Sequence, residues 1–165
     1  MSLNQLLLSL QHSQLGNLIG TGPWVFPSIE TVHVLSLAIV FGSIAILDLR
    51  LLGLASRKGA VSMISHEVLP FTWIAFAISA VSGSLLFVSN APGYIANLQF
   101  RWKFILMALA AINMLVFHFG AYRTVLQWDN KLPPPPAARL AGGLSLLLWL
   151  AIIVMGRWTG YTMQS

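Results

Sequence analysis

Residues 27–53 read PSIETVHVLSLAIVFGSIAILDLRLLG, and the reading of this stretch decides the fold. A helix needs about 20 mostly apolar residues to cross the hydrocarbon of a bilayer, and this stretch is long enough. Yet Glu30, His33 and Asp48 interrupt it. At about 100° per residue all three fall on one narrow stripe with Leu37, Phe41 and Ile44. Polar side chains are costly in hydrocarbon, so the stripe is expected to face the inside of a bundle rather than lipid.

The rest of the chain agrees. Its 165 residues are 57% hydrophobic and 8% charged, whereas about a quarter of a soluble domain is charged. An integral membrane protein is therefore expected. There is no cysteine, which excludes disulfides, thiolate metal sites and iron–sulfur clusters. The net charge of +5 is scattered in ones and twos. That pattern suits anchoring at a lipid surface and argues against nucleic acid as a partner.

Four spans are predicted, near 27–50, 67–89 (with a start as early as Val61), 101–123 and 138–158. The run LPPPP, 132–136, cannot continue a helix and predicts a stiff polyproline connection. SNAPGY, 89–94, reads as turn chemistry. Short connections predict an all-α, up-down-up-down four-helix bundle, with 1–165 forming a single domain. Before it, Leu3, Leu6, Leu7 and Leu10 recur at helical spacing and predict a short interfacial helix. This N-terminal stretch has no basic leader region and is not expected to be a removed signal peptide. Arg50, Arg57, Lys58, Arg123, Lys131 and Arg139 lie on one side, against Arg101, Lys103 and Arg157 on the other. The bias predicts that the first side is cytoplasmic, which puts both termini outside.

Depth sorts the polar residues. His33 to Asp48 and Lys103 to His118 each span 15 residues, a rise of roughly 22 Å along a helix. Two levels result: Glu30, His33 and Lys103, with Met155 and Arg157 nearby, and then Asp48, His66 and His118 beside Arg50. Histidines from separate helices at one depth suit a b-type haem held without covalent attachment. The expected metal ligands are His33, His66 and His118, for one or two haems. Lys103 and Arg157 are expected to pair with haem propionates, and Trp73 to border the group. Glu30 and Asp48 are the expected proton carriers. The structural alternatives are interhelical hydrogen bonds for the histidines and, for Asp48, an ion pair with Arg50, Arg57 or Lys58. Gly83, Ser84, Gly142, Gly143 and Ser145 are expected only to let helices approach closely.

Several stretches resemble a known family. IETVHVLSLAIVFGSIAILDLRLLG is similar to the first helix of the four-helix bacterial protoporphyrinogen oxidases and of the related copper-resistance-type membrane domains. HEVLPFTWIAFAISAVSGSLLF and RWKFILMALAAINMLVFHFG resemble their second and third helices. The chain also resembles an uncharacterised bacterial four-helix family that shares Glu-x-x-His and Asp-Leu-Arg-Leu-Leu-Gly. The resemblance covers most of residues 27–123. It implies b-type haem, with His33 at the family's first-helix histidine and Lys103 at its third-helix lysine.

The expected function is electron transfer between quinol or a partner protein and an acceptor. The expected partners are membrane lipid, quinone, and a membrane or periplasmic redox partner or a second copy of the chain. Two alternatives stand beside it: an oxidase of haem synthesis, and a cofactor-free accessory subunit of a larger membrane complex.

Overall fold

The computed structural model describes residues 2–55, 60–129 and 133–163. Arg57, Lys58, Lys131 and Leu132, which entered the charge and proline arguments, lie outside them. The described residues form helices and their connections, with no strand among them. Four of the helices are long and apolar enough to cross a membrane.

Two short helices come first. α1, Leu3–Gln11, opens with a capping box in which the Ser2 amide donates to Gln5 Oε1 at 2.9 Å. Sequence reasoning expected one helix here, but Ser13 starts another by accepting from the Gly16 amide at 3.1 Å. This α2, Gln14–Thr21, buries Ile19 and packs against the long helices that follow. The first long helix, α3, is Val25–Leu51. It stops because Gly53 adopts a φ of 77°, where a side chain is disfavoured. The Gly53 and Leu54 amides then fold back onto the carbonyls of Arg50 and Leu49. α4, Val61–Ser89, takes the earlier of the two predicted starts and carries Pro70 internally.

The predicted turn at 89–94 is instead a short helix, α5, Ala91–Ala96. Asn90 caps it by accepting from the Gly93 amide, and Pro92 sits in its first turn, where the missing amide costs nothing. α6, Leu98–Phe119, starts under an Asn97 cap and ends at Gly120, short of the predicted 123. A 3-10 turn, Ala121–Thr124, and the single-turn α7, Val125–Trp128, follow. α8, Pro136–Thr162, begins on the last proline of the run, and Pro135 has the polyproline φ and ψ of −62° and 155°.

The tightly packed long pairs are α3 with α4, α3 with α8 and α6 with α8. α3 and α8 approach most closely at Gly142, where an added Cβ would lie 3.1 Å from the Asp48 carbonyl. At the other seam Asn97 Nδ2 donates to Thr162 Oγ1 at 2.7 Å and Asn113 Nδ2 to the Ala141 carbonyl at 3.0 Å. α4 and α6 instead meet through rings at one end, where Phe87 stacks on Phe100 with centroids 5.9 Å apart. At the opposite end Leu51, Val61, Val125, Trp128 and Ala138 form a compact apolar cluster.

Asp129 locks that end. Ala60, the N-cap residue of α4, offers no side-chain acceptor. The Asp129 carboxylate, more than 60 residues away in sequence, supplies one. It accepts from the Val61 and Ser62 amides and from Ser62 Oγ. Arg50 of α3 donates to the Asp129 carbonyl at 3.2 Å. One residue thus ties α3, α4 and the α7 connection together.

Candidate functional site

The four long helices enclose a cavity of about 380 Å³. That lies within the roughly 300–1,000 Å³ of sites that hold small molecules. α3 supplies Val40, Ser43, Ile44, Leu47 and Asp48 as one wall. Trp73 and Phe76 of α4 stand edge-to-face on a second side, with centroids 6.1 Å apart. Met107, Asn113 and Met114 come from α6, and Ser145 and Trp149 from α8. The lining is apolar with a few polar groups, as in a site for a ring-bearing hydrophobic ligand.

The shape of the cavity follows from helix order. Its α3 wall is shut, with Val40 1% and Asp48 4% exposed. On the sides where α4 and α6 face each other, Trp73 and Met114 line the cavity yet stay 56% and 45% exposed. The cavity therefore opens sideways between α4 and α6, onto surface that faces lipid if these helices span a membrane.

Asp48 is its chemical centre. The Ser145 hydroxyl faces the carboxyl, but Oδ2 is buried without a hydrogen-bond partner. Buried polar atoms nearly always find partners, so an orphaned one against a cavity marks a place for a water or a ligand atom. Arg50 lies two residues on and reaches the Asp129 carbonyl.

A second polar level lies toward the other end of α3. His33 is half-buried. Its Nδ1 lies 3.0 Å from the Ser79 carbonyl and 3.1 Å from Ser82 Oγ, both on α4. Gly83 makes room for the ring, since a Cβ there would come within 2.9 Å of His33 Cε1. Lys103 of α6 is the charged neighbour of this imidazole, and its amine passes Gly156 of α8.

A family model matches residues 11–162, nearly the whole chain. The chain belongs to DUF6644, a family of unknown function. No curated protein and no solved structure matches it.

In this DUF6644 protein the residues singled out from sequence divide sharply. His33 and Lys103 come together inside, as their common depth suggested. Asp48 and Trp73 share the cavity. His66 and His118 are both exposed, and neither lines the cavity. The His118 ring stacks on Tyr122, centroids 5.3 Å apart. The two histidines expected to hold a haem at this level are thus not part of the cavity wall. Nor do three His, Asp or Glu side chains gather as a metal site among the described residues. Arg157 is exposed and turned along its own helix, donating to Tyr161 Oη at 3.1 Å and lying over its ring. Glu30 is exposed near Tyr94. The Tyr94 phenol lies outside the spans, and its pKa is pushed up first by burial and then by that carboxylate.

Sequence reasoning missed Asp129, Ser79 and Ser82. Asp129 carries no local signal, because the amides it caps belong to a helix far away in the chain. The two serines had one signal: hydroxyls inside an apolar span need an acceptor or a partner helix. Ser82 Oγ meets that need through the Ile78 carbonyl at 2.8 Å while also reaching His33.

Proposed function

We propose that this chain is a multi-pass membrane protein that takes a lipid-soluble small molecule from the bilayer into the cavity around Asp48. The observation that carries this reading is the buried, unpartnered Asp48 Oδ2 in the wall of a cavity that opens sideways between α4 and α6. An orphaned carboxyl oxygen among hydrocarbon walls is expensive unless a donor arrives to meet it. The proposal includes an up-down-up-down bundle in a bacterial inner membrane, with α1 in the interface and both termini outside. The contacts of α6 with α8, and Arg123 and Arg139 at the Asp48 end, support that arrangement.

The test uses Trp73 and Trp149, which line the cavity. Purified protein in lipid nanodiscs is titrated with nitrobenzene, a membrane-soluble quencher. Fluorescence is expected to fall along a saturable curve. Ala111→Phe, which fills the cavity from α6, is expected to remove the saturable part. Linear quenching, identical in the two proteins, would end the reading.

One observation favours a second reading, electron transfer through a b-type haem on His33. A hydrogen bond from Nδ1 to the Ser79 carbonyl would leave Nε2 unprotonated, the tautomer a metal requires. A reduced-minus-oxidised spectrum of protein expressed with ample haem decides this. The expected b-type band disappears in His33→Ala and persists in His66→Ala and His118→Ala. No band in the native protein removes this reading and leaves the first intact.

A further inference from the structure

We infer that the cavity selects aromatic rings bearing hydroxyl donors, the hydroquinone and phenol class, over the same rings with their oxygens methylated. The inference rests on the cavity reading above and deepens it by naming the ligand's chemistry. It follows from an inventory of the polar atoms that line the space. Asp48 Oδ2 is a buried acceptor awaiting a donor. Thr72 spends its hydroxyl hydrogen on the Val68 carbonyl at 3.0 Å, so its oxygen faces the cavity only as an acceptor. Asn113 gives one of its two amide hydrogens to the Ala141 carbonyl and keeps its side-chain oxygen as an acceptor. Ser43 and Ser145 play either role. The second Asn113 amide hydrogen and the indole N–H groups of Trp73 and Trp149 add donors to the lining, so the demand for a ligand hydrogen comes from Asp48 Oδ2, the buried atom that lacks a partner among the described residues.

The walls set the rest of the chemistry. Trp73, Phe76 and Trp149 offer flat faces and edges, and Met107 and Met114 offer polarisable thioethers that pack well on rings. No cationic side chain lines the space, so nothing there rewards an anionic ligand. A long polar headgroup has no counterpart either. A ring with hydroxyls on its rim fills both requirements. One hydroxyl meets Asp48 on the closed α3 side, and an apolar substituent trails out between α4 and α6.

The experiment compares tetramethylhydroquinone, kept reduced under argon, with its dimethyl ether. The two share a ring and differ in their donors. Binding to the full-length protein in nanodiscs is read from the saturable part of tryptophan quenching. The hydroquinone is expected to bind about tenfold or more tightly than the ether, the size of one well-made hydrogen bond to a buried acceptor. In Asp48→Leu, which removes the acceptor, that ratio is expected to shrink to about threefold or less. Asp48→Asn, closer in shape, guards against misfolding and is expected to give an intermediate ratio.

An ether that binds as tightly as the hydroquinone overturns the inference but leaves a lipid-accessible cavity standing. So does a ratio unchanged in both Asp48 variants. If neither ring gives a saturable signal and Ala111→Phe behaves like the native protein, the cavity reading fails as well.

Discussion

Asp48 and Asp129 are two aspartates hidden to the same degree, 4% and 5% exposed, and they are bonded in opposite ways. Asp129 is fully engaged: its carboxylate accepts from two amides and a hydroxyl at the start of α4, and its carbonyl accepts from Arg50. Asp48 is walled by apolar side chains and leaves Oδ2 empty-handed. Burial alone would rank them together. The difference in partners separates an acid that holds the fold from one held ready by it, because a buried polar group is costly only while it lacks a partner.

The largest expected effect falls on Asp129. Asp129→Ala strips the cap from α4 and leaves the Val61 and Ser62 amides without their acceptor. A lost cap and a broken buried network together cost about 2–4 kcal/mol. A clear drop in thermal unfolding temperature in detergent is the expected outcome. A drop no larger than that of a surface substitution would erase the contrast with Asp48.

His33 tests whether the contrast extends to a half-buried group. Its imidazole is partnered by Ser79 and Ser82 and abuts Gly83, so it belongs on the structural side with Asp129. Gly83→Ala places a methyl 2.9 Å from Cε1, inside normal contact. The ring must move and lose at least one hydrogen bond, at about 1–3 kcal/mol. The same unfolding measurement checks it. If Gly83→Ala is silent, the ring is not held where its bonds imply.

Asp48→Leu should do the reverse. Replacing a buried acid that leaves one oxygen without a partner by an apolar side chain of similar volume is often neutral or stabilising. A change within about 1 kcal/mol, on the stabilising side, is expected. A loss comparable to that of Asp129→Ala would mean that Asp48 holds the bundle, and the comparison would break.

How much of this was legible in the sequence depends on the kind of signal. The four long apolar helices were, because hydropathy and length are local properties, and even the early start of α4 at Val61 was within view. The proline run announced the start of α8. The shared depth of His33 and Lys103 also survived, because rise per residue fixes height along a helix. Height says little about what closes the space at a helix end. His118 lies in the last turn of α6, where Gly120 stops the helix and Tyr122 folds back onto the ring. The cavity emerged from helix order: α4 and α6 face each other across it while α3 and α8 close its back. No periodicity within a single span encodes that order.

The smallest effects are expected at His66 and His118, and they bear on the comparison by supplying its baseline. Both are exposed. His118 keeps a stacked contact with Tyr122, worth about 0.5–1.5 kcal/mol where rings are buried and less where one face is open. His66→Ala should therefore leave unfolding unchanged within about 0.5 kcal/mol, and His118→Ala should lower it by no more than about 1 kcal/mol. Both should leave quenching by nitrobenzene as it is in the native protein, because neither ring reaches the cavity wall. A quenching change in His118→Ala without a stability change would mean that the ring reaches the cavity when a ligand is present. The functional centre would then include the histidine that the empty cavity leaves outside.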